Sequence, residues 1–159
     1  MRTFILLILL GISTPKNQVV QETYQFKQLS NYKIALRESK DNKKLTLLYF
    51  SASGSVPCEM MKDELLVDPA IKQLLNQKFC SFEAVTNDRA PLPKAEQYIS
   101  KLDNKPILTV GKRSTDIQVS NFKTNIQPFF VIIDENEQQI RHLIGKSNTK
   151  DFIKFLVGK

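Results

Sequence analysis

A strand-to-helix turn that presents a single cysteine constrains this chain more than any other feature of its sequence. The mostly apolar run of residues 45–50 is typical of a short strand buried on both faces. Small residues follow it, and Pro57 then suits the first turn of a helix that we expect to reach about Leu66. The sequence therefore predicts that Cys58 lies at the start of a helix, directly after a buried strand.

Thiol–disulfide chemistry uses this layout, but the turn departs from it at one position. The motif is Ser55-Val56-Pro57-Cys58, so a serine stands where a dithiol motif has its first, attacking cysteine. A serine hydroxyl neither attacks a disulfide at a useful rate nor forms a mixed disulfide. The turn indicates a thiol-handling scaffold, and Ser55 argues against dithiol chemistry on it.

The remaining elements are predicted from periodicity and capping residues. We predict an edge strand at Tyr24 and Phe26, helices over residues 31–42, 70–77 and 148–156, and strands over residues 79–85, 129–133 and 139–144. Residues 86–123 contain three prolines and are predicted to form a long connection that covers one edge or end of the fold. A loop of this length inside a compact domain is usually functional.

The N-terminus has the residue order of a secretory signal, with Arg2, an apolar run over residues 4–10 and small residues up to Ser13. The run is too short to span a bilayer comfortably. We therefore assign residues 1–13 to a signal peptide or to an uncleaved N-terminal anchor, and both alternatives stay open. Residues 14–28 are predicted to be an extension, and residues 29–159 one compact domain.

Charge and composition exclude several other kinds of site. The net charge is +7, but the lysines are scattered without a basic run, so we expect no nucleic-acid partner. His142 is the only histidine, which leaves a histidine-based zinc site or catalytic triad without its parts. No glycine-rich phosphate loop occurs among the five glycines. We therefore expect neither a metal nor a cofactor.

Several further segments occur together in the order of a known family. They are Ala35-Leu36, residues 54–61, Asp88-Arg89, Leu92-Pro93 and residues 96–98, 110–112 and 122–134. In this combination the chain resembles the C-terminal thioredoxin-like periplasmic domain of DsbD-type thiol:disulfide interchange proteins, in the form common in Bacteroidetes. The resemblance covers about residues 31–156. It implies the thioredoxin fold, an α/β architecture in which helices flank a central mixed sheet, and a periplasmic or secreted location.

The resemblance also implies roles for individual residues and a class of partner. Pro128 matches a proline that the family holds as a cis peptide beside the redox turn, and Gln127, Val56 and Pro57 would help it shape a groove for an extended substrate. An ordinary trans proline opening an edge strand is the alternative for Pro128. Cys58 matches the family's second, resolving cysteine. The implied partners are thiols or disulfides of proteins and peptides; a membrane-bound reductase is left open, and we expect a monomer.

Two further departures from the family accompany Ser55. Tyr49 stands six residues before Ser55, where the family usually has a buried acidic residue that handles the proton of the resolving cysteine. Glu59 follows the motif where a basic residue is frequent, and a neighbouring carboxylate disfavours a thiolate. We therefore predict that Cys58 reacts slowly, and whether the protein is an enzyme stays undecided.

Cys80 is not expected to pair with Cys58. The two cysteines would be separated by the length of the intervening helix, roughly 12 Å, whereas a disulfide needs Cα atoms within about 7 Å. We predict that Cys80 is a buried apolar residue. The leading functional hypothesis is residual or specialised thiol handling through Cys58 alone. The alternative is a redox-inactive binding or chaperone-like module.

Overall fold

The computed structural model describes residues 22–158, and a mixed sheet forms the centre of this part of the chain. The strands are β1 (Lys27–Gln28), β2 (Leu45–Ser51), β3 (Phe79–Val85), β4 (Tyr98–Ile99), β5 (Pro106–Ile107), β6 (Phe129–Ile133) and β7 (Gln139–Ile144). The helices are α1 (Tyr32–Asp41), α2 (Val56–Met60), α3 (Pro69–Lys78), α4 (Val110–Phe122) and α5 (Thr149–Val157). Five strands form the main sheet in the order β1-β3-β2-β6-β7, and β4 pairs with β5 separately. The predicted mixed sheet flanked by helices is confirmed.

Strand β2 lies in the middle of the main sheet, parallel to β3 and antiparallel to β6. Its side chains alternate between two cores, because successive residues of a strand point to opposite faces. Leu47 and Tyr49 join the core formed with α3, α5 and the helix after the motif, whereas Leu48 and Phe50 join the core formed with α1. Burial on both faces explains why β2 reads as a continuous apolar run.

The motif helix extends as far as the sequence predicts, but its second half is wider than an α-helix. Residues Met61–Leu65 form a π-helical turn directly after α2. At its end, the Leu66 N–H donates to the Met61 carbonyl oxygen at 3.2 Å, five residues back. Met61 and Leu65 are buried against the sheet.

The prediction of a long loop over residues 86–123 is wrong. The segment contains a 3₁₀ turn (Lys94–Glu96), the β4–β5 hairpin and the 13-residue helix α4. Thr109 caps α4, since its hydroxyl oxygen accepts from the Lys112 N–H at 3.3 Å. The buried residues of α4 are mainly polar or small, namely Gly111, Arg113, Ser114 and Gln118, so the helix lacks the apolar period that identifies a helix in sequence.

Two smaller predictions need correction. The first strand is Lys27–Gln28, just after Tyr24 and Phe26, whose rings pack beside the core that contains Tyr49. Cys80 is partly exposed and packs at the margin of the other core, so it is not the fully buried residue predicted. Both cysteines are free, as expected.

The assignment of residues 1–13 falls outside the part of the chain that the structure describes, as does most of the predicted extension. Over residues 22–158, no helix combines the length and the hydropathy that crossing a membrane requires.

Candidate functional site

The turn between β2 and α2 is fixed by the loop that follows β3. The Ser53 N–H donates to Asn87 Oδ1 at 2.9 Å, and Asn87 Nδ2 donates to the Ser53 carbonyl oxygen at 2.9 Å. The Thr86 N–H and hydroxyl both donate to the Ser51 carbonyl oxygen, at 2.8 and 2.9 Å. Gly54 has φ +74, a left-handed conformation that glycine adopts without steric cost. The two loops therefore hold the motif turn as one unit.

The first three residues of the motif are at least partly exposed, and the fourth is buried. Ser55 is half-buried and precedes α2 with extended backbone angles, and its side chain makes no capping hydrogen bond. Val56 is 69% exposed and Pro57 is also exposed. Cys58, in the first turn of α2, has no exposed surface. A molecule that reaches the motif meets Ser55, Val56 and Pro57 before the thiol.

Pro128 lies at the same end of the sheet as the motif turn. It directly precedes Phe129, which pairs with Phe50 near the end of β2 where the turn begins. The Gln127–Pro128 peptide bond is cis, in agreement with the resemblance. Pro128 is buried, and its carbonyl oxygen accepts from the Gly145 N–H at 2.8 Å.

Helix α4 supports the cis-proline segment through a buried amide. Gln118 has no exposed surface. Its Nε2 donates to the Ile126 carbonyl oxygen at 2.9 Å, and its Oε1 accepts from Gln127 Nε2 at 2.8 Å. Both polar groups of Gln118 are thus used to position the two residues before Pro128.

Replacing Gln118 with alanine is expected to destabilise the domain by about 2 kcal/mol, because it removes both hydrogen bonds and leaves the Ile126 carbonyl without its partner. Urea denaturation measures the free energy of unfolding, and hydrogen exchange at Ile126 and Gln127 reports the local loosening. Asn121→Ala, at an exposed position of the same helix, is the matched control and should stay within about 0.5 kcal/mol. Equal effects of the two variants would show that Gln118 has no special positioning role.

The start of α4 supports the motif turn through the loop after β3. The Gly111 N–H donates to the Asp88 carbonyl oxygen at 2.9 Å, and the Val110 N–H donates to the Ala90 carbonyl oxygen at 2.9 Å. A Cβ on Gly111 would lie 2.6 Å from backbone atoms of Asp88. Only glycine permits this approach, which places α4 against the loop that carries Asn87.

An acidic side chain approaches the motif from the neighbouring strand. Glu83 of β3 pairs in register with Tyr49 of β2. Glu83 Oε1 accepts from the Ser51 hydroxyl at 2.5 Å and lies 3.1 Å from Lys62 Nζ. Position 49 has no carboxylate, but the neighbouring strand brings one close to it, that of Glu83, which pairs with Lys62 of the motif helix.

Tyr49 fills the space beneath the motif helix. It has no exposed surface and stacks on Phe130 with ring centroids 4.3 Å apart. Its hydroxyl makes a long hydrogen bond of 3.4 Å to the Cys58 carbonyl oxygen. Burial raises the pKa of Tyr49 above its ordinary value, and the nearby Cys58 and Glu83 act in the same direction.

The raised pKa of Tyr49 predicts a loss of stability at high pH. A tyrosine in the unfolded chain ionises near pH 10, while the folded state keeps Tyr49 protonated, so stability is fully present below about pH 10 and falls above it. Tyr49→Phe should reduce that fall by about 1.4 kcal/mol per pH unit. Part of the fall should remain, because the pKa values of Tyr32 and Tyr98 are raised as well. Urea denaturation between pH 9 and 11.5 measures both slopes, and identical slopes would contradict the assignment.

The structure brings all six predicted site residues to one end of the sheet: Ser55, Val56, Pro57 and Cys58 in or just after the motif turn, and Gln127 and Pro128 before β6. Sequence reasoning missed Glu83, Asn87, Gly111 and Gln118, which hold or surround these segments. Gly111 lies in one of the segments that carry the resemblance, but no supporting role was inferred for it; its signal was an isolated glycine in a segment not recognised as helical.

Comparison with known proteins identifies the fold. Residues 32–157 match the family model of a thioredoxin-like domain. A thioredoxin from Thermus thermophilus is similar in structure, with 16% identity, a TM-score of 0.59 and coverage of 86% of this chain and 87% of that chain. No curated protein sequence matches.

Two further solved structures are similar to this chain. DsbH oxidoreductase has 17% identity and a TM-score of 0.60, over 91% of this chain and 92% of that one. The oxidised C-terminal domain of DsbD from Neisseria meningitidis has 14% identity and a TM-score of 0.55, over 85% of this chain and 98% of that one. At these identities the similarity establishes the fold, and the resemblance to DsbD-type domains is confirmed at that level.

Proposed function

This chain belongs to the thioredoxin-like domain family, and we propose that it binds extended segments of other proteins at the motif turn without exchanging disulfides. One observation carries the proposal: the motif thiol, Cys58, has no exposed surface, and the residue in front of it is Ser55. Exposed residues of the motif remain available to a polypeptide, but the atom that would begin the exchange is absent.

The chemistry of disulfide reduction explains why a single buried cysteine is insufficient. A thiolate attacks one sulfur of the substrate disulfide, the S–S bond breaks, and a second thiol resolves the mixed disulfide while the two electrons end on the substrate sulfurs. Ser55 cannot perform the first step, because its hydroxyl is not a competent nucleophile toward sulfur. Cys58 cannot replace it without exposing a sulfur that the folded domain covers.

The exposed residues around the motif favour binding of an extended segment. Val56 is 69% exposed and Ile126 is 53% exposed. Val56 begins the motif helix with Pro57 beside it, and Ile126 lies in the segment before β6, at the same end of the sheet. Exposed aliphatic side chains of this size contribute to binding when a partner covers them. Support from Gln118 and Asn87 holds both segments in place, so little ordering would be needed when a polypeptide binds.

Fluorescence anisotropy with a labelled, unfolded polypeptide whose cysteines are alkylated tests this proposal, because such a probe can bind but cannot exchange. Val56→Asp and Ile126→Asp should each weaken binding about tenfold, an effect of about 1.4 kcal/mol. Ile140→Asp, on an exposed position of β7, is the matched control and should leave the affinity unchanged. Absence of binding, or equal weakening by all three variants, would refute the proposed site.

Residual thiol handling through Cys58 is the second candidate, supported by a free thiol in the first turn of a proline-led helix. The rate of alkylation by iodoacetamide, followed by mass spectrometry, separates the two candidates. The binding proposal expects Cys58 to react far more slowly than the partly exposed Cys80. Faster alkylation of Cys58 than of Cys80 would favour the second candidate.

We extend the proposal to the setting of the protein. The order of charge, apolar run and small residues in residues 1–13 supports export to the periplasm or beyond, with a cleaved signal or a retained anchor. The proposed partners are protein chains that present thiols or disulfides, and the proposed state is a monomer. A membrane-bound reductase would be needed only under the second candidate, since binding alone consumes no electrons.

A further inference from the structure

The β4–β5 hairpin has one side that packs on the domain and one that does not. Tyr98 pairs with Ile107, and Ile99 pairs with Pro106. Directly opposed residues of an antiparallel pair point to the same side, and neighbours along a strand point to opposite sides. Ile99 and Pro106 therefore share one side of the hairpin, and Tyr98 and Ile107 share the other.

The Tyr98 side faces the domain. Ile107 is buried, and Tyr98, although 39% exposed, donates its hydroxyl to Asp116 Oδ2 on α4 at 2.7 Å. Nearby, Arg113 Nη1 of α4 donates to Glu96 Oε2 at 2.6 Å, just before β4. These contacts fix the hairpin to α4 and determine which side points outward.

The outward side is aliphatic. We define the outer hairpin face as Ile99, Pro106 and Leu108, with Leu102 at the turn. Leu108 follows Pro106 by two residues and so continues the same side. Ile99, Leu102 and Leu108 are 58%, 49% and 47% exposed, and Pro106 is exposed as well. Four exposed apolar residues therefore lie within residues 99–108, and three of them share one side of the hairpin.

Basic side chains that lack a carboxylate partner occur in the hairpin turn and in the chain segments on either side of the hairpin. Arg89, Lys94, Lys101 and Lys112 are all exposed, and none forms an ion pair within residues 22–158. The acidic side chains of the hairpin region are already engaged, Asp103 with Lys105, Glu96 with Arg113, and Asp116 with Tyr98 and Ser100. The exposed surface of the hairpin is therefore aliphatic, and the hairpin and its flanking segments carry positive charge that no carboxylate of the described residues balances.

This combination fits a lipid surface better than a protein surface. The strongest contacts between proteins come mainly from tryptophan, tyrosine and arginine, and lysine is depleted at such interfaces. The four residues of the outer hairpin face are all aliphatic or proline, and the hydroxyl of Tyr98 on the other side is bonded to Asp116. Aliphatic side chains with lysines around them instead match an interface where the chain enters the headgroup layer and cations meet anionic lipids. We propose that the outer hairpin face docks on anionic membranes.

A tryptophan placed at the turn tests the proposal on the full chain, because the sequence has no tryptophan and the new residue is the only source of indole emission. With vesicles containing phosphatidylglycerol, the emission of Leu102→Trp should shift to shorter wavelength and be quenched by brominated lipids. Ile140→Trp, at an exposed position of β7, should show neither effect. The emission reports the surroundings of residue 102 alone. Binding of the membrane through the apolar run of residues 4–10 would therefore not place this tryptophan in lipid.

Charge variants complete the test. Adding Lys101→Gln or Lys112→Gln to Leu102→Trp should each weaken vesicle binding about fivefold. Vesicles of phosphatidylcholine alone should bind far more weakly. An unshifted Leu102→Trp spectrum, as a protein-docking patch would give, would overturn the proposal, and so would equal shifts at positions 102 and 140. Leu108→Trp should show the same blue shift and quenching as Leu102→Trp. Agreement between the two variants would show that the shift is not caused by the substitution at position 102 itself.

Discussion

Replacing Ser55 with cysteine is expected to turn this protein into a disulfide reductase. Residue 55 precedes α2 and lies three residues before Cys58, so the new thiol would occupy the half-exposed position and Cys58 the sheltered one. The first thiolate would attack the substrate disulfide, and Cys58 would then attack the mixed disulfide and release the reduced substrate. The reduction of insulin disulfides by dithiothreitol should accelerate by about two orders of magnitude or more relative to the unmodified protein.

A double variant, Ser55→Cys with Cys58→Ala, is the control for this gain. It keeps the attacking thiol and removes the resolving one, so it should accumulate mixed disulfides with substrate and show little turnover. A folded Ser55→Cys protein that remains inactive would show that Ser55 is not the sole obstacle. Tyr49, which contacts Cys58, and the Glu83–Lys62 pair next to it would then be the groups to examine.

Gly111→Ala, at the start of α4, is expected to cause a large loss of stability although it adds only one methyl group. The added Cβ would lie 2.6 Å from the backbone N and O of Asp88 and 2.7 Å from the Thr86 carbonyl oxygen. Backbone atoms cannot rotate away as a flexible side chain can, so either α4 or the loop after β3 has to move. We expect a loss of about 3 kcal/mol in urea denaturation. Movement of this loop should also weaken polypeptide binding, since Asn87 holds the motif turn.

Gly145→Ala provides the comparison. Gly145 has φ +82, and a Cβ there would meet nothing within 4 Å, so the substitution carries only the conformational cost of about 1–2 kcal/mol. The ordinary effect of replacing glycine by alanine inside a helix is a gain of about 0.5–1 kcal/mol. Such a gain at Gly111 would contradict the close approach of α4 to the loop.

The main sheet could be predicted from sequence because its strands carry local signals. Residues 79–85, 129–133 and 139–144 alternate or run apolar between clear turn residues, and the structure has strands with those bounds. The motif turn and Pro128 could be placed together only through the resemblance, since sequence separation says nothing about their proximity. Their common location follows from the pairing of Phe50 with Phe129.

The supporting half of the site could not be predicted, for two physical reasons. Helix α4 buries polar or small residues, among them Gln118, which donates to the Ile126 carbonyl oxygen, so hydrophobic periodicity does not mark the helix. Glu83 lies beside Tyr49 and Ser51 because β2 and β3 pair in a particular register, and the local sequence does not determine that register. A carboxylate on a neighbouring strand has no fixed spacing from the motif in the sequence.

The central claim is that the motif receives a protein chain and leaves its disulfides intact. Native and denaturing mass spectrometry of the unmodified protein, mixed with an unfolded polypeptide that contains one disulfide, tests both parts of this claim. We predict a complex in the native spectrum that disappears on denaturation, with the masses of both components unchanged. A covalent adduct that survives denaturation, is released by reductant and is lost in Cys58→Ala would contradict the account.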